Sequence, residues 1–295
     1  MFEQVNETVR YVNAPTCIGV ATRGEDALLV DSGLDENLAR KVVNALANEG
    51  RTVRAVVNTH AHADHCGGNH FVVKRTGARV VAPAFEHYFI ERPELEPYTL
   101  YGAPAPRALQ GKFLRAQPSP VAHAVEEEGV VDVAGFQVRF HALPGHSVRQ
   151  MGVEVDGVLF VGDAVLPPRV LEKHGLAFAV DPLEARRSTR KVLAHAGPVV
   201  AYHGGLLDDP RGAVEANVEA VAAAEARLLA RLDRGPARTE DLVADLLDAF
   251  GGGRTLELHA LHAATVRGYL AALEREGRVE AALAENHITW TRRRP

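Results

Sequence analysis

The chain has 295 residues, 46% of them hydrophobic and 24% charged, with a formal net charge of −5. That length suffices for one large core, or one core plus a smaller module, and the slightly acidic balance gives no electrostatic pull toward nucleic acid or anionic membranes. No run approaches the roughly 20 apolar residues of a membrane-spanning helix. The N-terminal stretch lacks a basic region followed by an apolar one, and two cysteines, Cys17 and Cys66, are too few for a disulfide framework, so a reducing, cytoplasmic setting is expected.

In chain order, 10–13, 18–22 and 27–31 read as strands: apolar or β-branched runs bounded by Pro or Gly. Residues 36–48 place Leu38, Val42, Val43 and Leu46 at helical spacing and stop before Gly50. Strand 53–58 leads directly into a histidine-rich loop, followed by a helix at 68–75 and a strand at 79–82. The Pro-rich stretch 93–120 reads as an insertion over the surface, either a lid or a plain packed connection. Strands follow at 130–133 and 136–142, then a hairpin of 153–155 and 158–161 around Asp156-Gly157. A helix after Pro182 and a strand at 198–202 complete the pattern, which predicts two sheets with helices outside them.

The composition changes near residue 209, so the chain divides into 1–208 and a smaller module, 209–295. Helices are expected at 211–234, at 239–250 with Thr239 as N-cap and the Gly251-Gly252-Gly253 run as its stop, and at 256–276. A hairpin of 279–282 and 288–291 then gives a winged-helix-like order. The third helix carries a broad apolar stripe that must be buried against the first unit or another chain, which leaves a homodimer possible. His259, His262 and His287 are scattered and read as helix-face packing.

The chemistry lies in Asn58-Thr59-His60-Ala61-His62-Ala63-Asp64-His65, where three histidines and an aspartate fall within six residues, straight after a buried-looking strand. Imidazole nitrogen and carboxylate oxygen are the usual ligands of zinc and its neighbours. Three further candidates, His146, Asp163 and His203, each follow an apolar strand and sit beside glycine, which permits a tight turn. Cys66 reads as a small residue packing the loop rather than a reactive thiol, and no nucleophilic role is assigned to Ser147 or Ser188.

The motifs HAHADH, PGHS, VGDA and YHGG, with Val30-Asp31-Ser32-Gly33 upstream, resemble the metallo-β-lactamase superfamily in kind and order over about residues 8–208. The resemblance implies an α/β fold, an αββα sandwich with two divalent metal ions at one edge. Carried over residue by residue, His60, His62 and His146 hold one ion, Asp64, His65 and His203 the other, and Asp163 bridges them. Asp31 matches the family's supporting aspartate, fixing the ligand loop by hydrogen bonds. Zinc suits such ligands, as do manganese and iron. Such ions lower the pKa of water toward roughly 7, so that hydroxide is the nucleophile. Asp64 then serves to orient it and take its proton.

The bridging aspartate is similar to that of glyoxalase II, metal-dependent thioesterases and the superfamily's nucleases. The tail around 261–279 is similar to the β-lactamase-like-2 group, which includes single-strand endoribonucleases and acyl-carrier thioesterases. Residues 209–295 hold 12 Lys+Arg against 14 Asp+Glu, and residues 1–208 hold 21 against 24, so neither unit is basic. Only Arg292-Arg293-Arg294 is locally basic. The leading expectation is therefore hydrolysis of a small ester or thioester, in a pocket walled partly by Tyr98, Tyr101, Phe113 and residues 167–178. A single-strand ribonuclease would need Lys112, Arg115, Arg149 or Arg169 near the metals to hold phosphate. A mononuclear iron sulfur dioxygenase and a non-catalytic metal-binding protein are the remaining readings.

Overall fold

The computed structural model describes residues 1–251 and 255–293. The first half of the chain builds one sheet from β1 (Phe2–Gln4), β2 (Val9–Val12), β3 (Ile18–Arg23), β4 (Asp26–Val30), β5 (Thr52–Val57), β6 (Arg79–Pro83) and β7 (His123–Val125), in sequential order. β1 to β4 are antiparallel and β4 to β7 parallel. The switch follows from the connection. α1 (Glu36–Asn48) returns the chain after β4, capped by the Asp35 carboxylate accepting from the Asn37 N–H at 2.9 Å. Ala39, Val42, Val43 and Leu46 form its buried stripe. The histidine-rich loop after β5 runs into the single turn α2 (Ala63–Cys66) and then α3 (Asn69–Thr76).

The second sheet holds β8 (Gly129–Val133), β9 (Phe136–Ala142), β10 (Met151–Val155), β11 (Val158–Phe160), β12 (Val199–Ala201) and β13 (Gly205–Leu206), ordered β13-β12-β11-β10-β9-β8. β11 and β12 are its parallel pair. The faces alternate with the strand period. Leu28, Val30, Ala55 and Val57 meet Val138, Phe140, Val153 and Phe160 between the sheets. Ala27, Leu29 and Val56 turn outward to α1 and to Val72 of α3. Leu159, Val199 and Ala201 turn outward to Val192, Ala213 and Val214. The result is the αββα sandwich.

Stretch 93–120 is more ordered than a loop. It follows a short helix, α4 (Glu86–Glu91), and contains a further helix, α5 (Leu95–Tyr101), with Leu109 and Leu114 buried. Residues 167–178 likewise contain a helix, α6 (Pro168–His174), and α7 (Pro182–Lys191) follows Asp181 as its cap.

The C-terminal part consists of α8 (Pro210–Leu232), β14 (Ala237–Arg238), α9 (Thr239–Phe250), α10 (Leu256–Arg275), β15 (Val279–Ala284) and β16 (His287–Arg292). Its strands form a third sheet, β14-β16-β15. Thr239 is the first residue of α9 rather than its N-cap, and its hydroxyl accepts from the Trp290 indole at 3.0 Å. α9 ends at Gly251 with φ of 74°; Gly252, Gly253 and Arg294 lie outside the described residues. α8 serves two cores: Ala213 and Val214 pack on the second sheet, whereas Leu228 and Leu232 join Leu242, Val266 and Leu270. Leu176 and Leu183 enter that second core, so Val266, Tyr269, Leu270 and Leu273 of α10 are covered within the chain, whereas Leu258 and Leu261 are half-buried. Among the described residues no helix is long and apolar enough to cross a membrane.

Candidate metal centre

Asp31, Asn58–His65, His146, Asp163 and His203 all follow strand ends at one edge of the sandwich, where the parallel pairs β4/β5 and β11/β12 finish in the same direction. Asp31 is buried and its carboxylate is fully engaged. Oδ1 accepts from the Thr59 N–H at 2.8 Å and the Asn58 amide at 3.4 Å; Oδ2 accepts from the Thr59 hydroxyl at 2.9 Å and His65 Nδ1 at 2.8 Å. The Met151 N–H donates to the Thr59 carbonyl at 2.9 Å, tying the loop to the second sheet. Gly162, with φ of 53°, passes so close to Thr59 that a Cβ there would lie 2.8 Å from its Oγ1. Gly145 has φ of 121° and its Cβ would lie 2.1 Å from the Ala185 nitrogen. Both glycines are therefore required for the neighbouring Asp163 and His146 to reach the loop.

Each of three histidines is aimed by one ring nitrogen and presents the other. His65 Nδ1 faces Asp31, His146 Nδ1 donates to the Phe178 carbonyl at 3.0 Å, and His203 Nδ1 donates to the Pro15 carbonyl at 3.0 Å. The opposite nitrogens converge. His60 Nε2 and His146 Nε2 both stand 3.0 Å from His62 Nδ1. His203 Nε2 lies 3.4 Å from oxygens of Asp64 and Asp163, and His146 Nε2 lies 3.5 Å from Asp163. His60, His62 and His146 form one group whose donor atoms lie within 4.8 Å of one another; Asp64, His65 and His203 form a second, and His60, His65 and Asp163 a third that joins them. All seven expected ligand positions are thus brought together, and Asp163 reaches both halves.

The two halves differ electrically. Burial pushes His60, His62 and His146 down, His62 to about 3, so these rings are neutral. Burial also opposes charge on His65 and His203, but Asp163 and its neighbouring carboxylates overcome it and raise them to about 10 and about 11. Two buried atoms, His65 Nε2 and Asp163 Oδ1, have no hydrogen-bond partner although they lie 3.5 Å apart. Neutral nitrogens converging on one point, with buried orphan donor atoms and two carboxylates beside them, fit divalent cations. Cys66 donates its thiol to the Ala61 carbonyl at 3.2 Å, and burial pushes its pKa far up, which leaves it unreactive. Tyr202 stacks on His65 with ring centroids 3.6 Å apart.

Glu86 carries a role that sequence reading misses. Its buried carboxylate accepts from the Ala61 N–H at 3.2 Å, the Ser147 hydroxyl at 2.8 Å and the Arg149 N–H at 2.8 Å. It therefore clamps the loop of His60 and His62 to the loop of His146. No local pattern marks it, because its partners lie 25 to 63 positions away.

The cluster opens onto a cleft of about 910 Å³, its open mouth included. Leu166, Val170, Leu176 and Phe178 form one wall, Phe113 and Leu114 another, and Leu258, Leu261 and His262 of α10 a third. Phe113 and residues 167–178 thus stand where expected, whereas Tyr98 and Tyr101 are exposed and away from it. His262, read from sequence as packing, belongs to the cleft. Lys112 instead pairs with Asp35 at 2.8 Å, Arg149 donates to the Glu126 carbonyl, and Arg169 points to the Gly204 carbonyl at 3.4 Å. Among the described residues, no lysine or arginine lines the cleft.

Two mixed sheets between helices, with a histidine–aspartate cluster at the strand ends, define a metal-site sandwich. Residues 13–203 match the Metallo-beta-lactamase superfamily, and the chain belongs to it. It is 26% identical over 242 residues to the atrochrysone carboxyl ACP thioesterase of Aspergillus fumigatus, covering 78% of this chain and 66% of that one. It is 24% identical over 265 residues to the Beta-lactamase-like protein 2 homolog of Drosophila melanogaster, covering 88% and 82%. To the hydroxyacylglutathione hydrolase of Maricaulis maris it is 26% identical over 141 residues, covering 46% of this chain and 44% of that one. The chain therefore spans less than half of that hydrolase and about two thirds of the thioesterase. In fold it is similar to a metallo-beta-lactamase family protein of Thermus thermophilus, with a TM-score of 0.70 at 24% identity over 96% of both chains.

Proposed function

We propose that the protein is a dinuclear metal-dependent hydrolase of an ester or thioester. The observation that carries this reading is a seven-residue donor cluster at the head of a cleft whose other walls are mainly apolar and, among the described residues, free of lysine and arginine. The names of the thioesterase and of the hydroxyacylglutathione hydrolase support it. His60, His62 and His146 would hold one ion, Asp64, His65 and His203 the other, with Asp163 between them. Mixed nitrogen and oxygen donors suit zinc, and next manganese or iron. Such ions supply Lewis acidity, lowering the pKa of water toward roughly 7 and polarising an acyl oxygen.

The chain's own groups do the rest. Asp64 lines the cleft beside His203, whose Nε2 lies 3.4 Å from its carboxylate, where that carboxylate can accept a proton from attacking water. The apolar walls hold the acyl part and exclude bulk water. In this reading residues 209–295 are a pocket-forming module rather than a nucleic-acid reader. Its one basic run is partly neutralised: Arg293 pairs with Glu280 at 3.0 Å and Arg292 lies 3.7 Å from Asp233. A phosphodiester backbone would find no lysine or arginine in the cleft wall described.

The test is a panel of thioesters, esters, phosphodiesters and single-stranded RNA offered to the metal-reconstituted chain. Turnover of a thioester or ester, with RNA intact, is the expected result. Cleavage of RNA in preference to every ester would replace this reading with a nuclease.

A further inference from the structure

The histidines of the cluster are not all held alike. His60 Nδ1 lies 3.1 Å from the Thr59 hydroxyl, His65 Nδ1 faces Asp31, and His146 and His203 donate through Nδ1 to backbone carbonyls. Those four rings turn Nε2 inward. His62 is turned the other way: its Nδ1 is the atom 3.0 Å from His60 Nε2 and His146 Nε2. The Phe178 ring packs on it, with centroids 5.3 Å apart, and supplies no acceptor. The polar group that faces the outer nitrogen, Nε2, is the Glu96 carboxylate, whose Oε1 lies 3.9 Å away. Glu96 stands in the first turn of α5, within stretch 93–120, where Pro97 and Leu114 are buried. The two side chains are 17% and 16% exposed, and both line the cleft. Among the described residues His62 is the one ionic partner of Glu96. A carboxylate in a cleft wall that includes Phe113 and Leu114 is costly unless a donor meets it.

We propose that Glu96 is a positioning residue, whose carboxylate takes the hydrogen bond of the His62 Nε2–H and so holds that ring's Nδ1 on a metal ion. This rests on the metal-centre reading and gives stretch 93–120 a part in it. A ring that gives the Nδ1 lone pair to a divalent cation carries its proton on Nε2. A carboxylate on that proton fixes the ring's orientation and raises its basicity as a ligand. The side chain of Glu96 is flexible, and a shift of about 1 Å brings Oε1 to hydrogen-bond length. α5 then belongs to the metal centre although it supplies no ligand.

The test uses the full-length chain with zinc as the probe, and compares Glu96→Ala and Glu96→Gln with the parent. Stepwise zinc affinities are measured by chelator competition. One step should weaken by roughly 10–100-fold in Glu96→Ala, and by less in Glu96→Gln, whose amide oxygen still accepts the proton. In the chelated chain the unfolding midpoint should stay or rise in both variants, because a largely buried carboxylate is lost there without a hydrogen bond. A residue needed only for the fold would lower midpoint and affinity together. Long-range proton–nitrogen spectra of the zinc-loaded chain identify His62 as the ring bound through Nδ1. Its Nε2 proton should exchange with solvent faster in both variants than in the parent, most of all in Glu96→Ala. The isosteric Gln variant carries the prediction if the Ala variant does not fold. Parental zinc affinity in both variants, a chelated midpoint that falls together with zinc affinity, or an unaltered Nε2 proton overturns the proposal. A parent chain that binds no zinc overturns the metal-centre reading and the proposal together. A parent that binds zinc, beside variants that bind it equally well, overturns the role of Glu96 alone.

Discussion

Asp64 and Glu86 are both acids near the same loop, and their surroundings give them different work. Asp64 opens onto the cleft beside His203, at 3.4 Å. Asp64→Asn keeps the shape but loses the charge and the proton-accepting oxygen, so turnover should fall by at least about 100-fold while the thermal transition stays near that of the parent chain. Near-parental turnover of a verified substrate would contradict the role proposed for it. Glu86 is not among the residues lining the cleft, and its two oxygens accept three hydrogen bonds. In Glu86→Gln the amide nitrogen must oppose one of these donors. The loss should be about 1–3 kcal/mol of stability and roughly 10–100-fold in metal retention, read by denaturant melts and chelator competition. Unchanged metal retention would show that the clamp does not orient the ligands.

α10 supplies one wall of the cleft through Leu258, Leu261 and His262. Thr265, fully buried, accepts the Ala179 N–H, and the next residue back, Phe178, gives its carbonyl to His146. Residues of α10 therefore bear on His146 through two hydrogen bonds. Thr265→Val removes the acceptor at nearly constant volume and leaves the Ala179 N–H unpaired. It should cost about 1–3 kcal/mol and alter KM for acyl substrates; a variant with parental stability and kinetics would separate the module from the site. The long elements are legible in the sequence because each has a period and a stop: α1 ends before Gly50, and β9 alternates inward Phe136, Val138 and Phe140 with outward Gln137 and Arg139. The short strands β1, β7, β13 and β14 carry no such period; partner strands fix them. The prolines around α5 mask it, though Pro97 sits in its first turn, where no helical N–H is lost.

At the scale of the molecule, the site is readable where its residues gather in sequence and unreadable where only folding gathers them. His60, His62, Asp64 and His65 share one loop, and His146, Asp163 and His203 each follow a strand beside a glycine, so local pattern suffices. Glu86 and His262 reach the site from a short helix and from the C-terminal module, far along the chain from the first loop, and nothing local distinguishes them from surface or packing residues. The cluster that results buries neutral and charged histidines together, with two donor atoms unpartnered, so it should be stabilised strongly by cations. Chelation should lower the midpoint of thermal unfolding, and zinc at about 1,000 times its dissociation constant should restore about 4 kcal/mol. An unchanged midpoint across that range would mean that the cluster does not bind the ion. The most direct test of the account is the metal content of the reconstituted chain, counted by plasma mass spectrometry against protein concentration. The account predicts close to two ions per chain, whereas a firm value of one, or none, would contradict it.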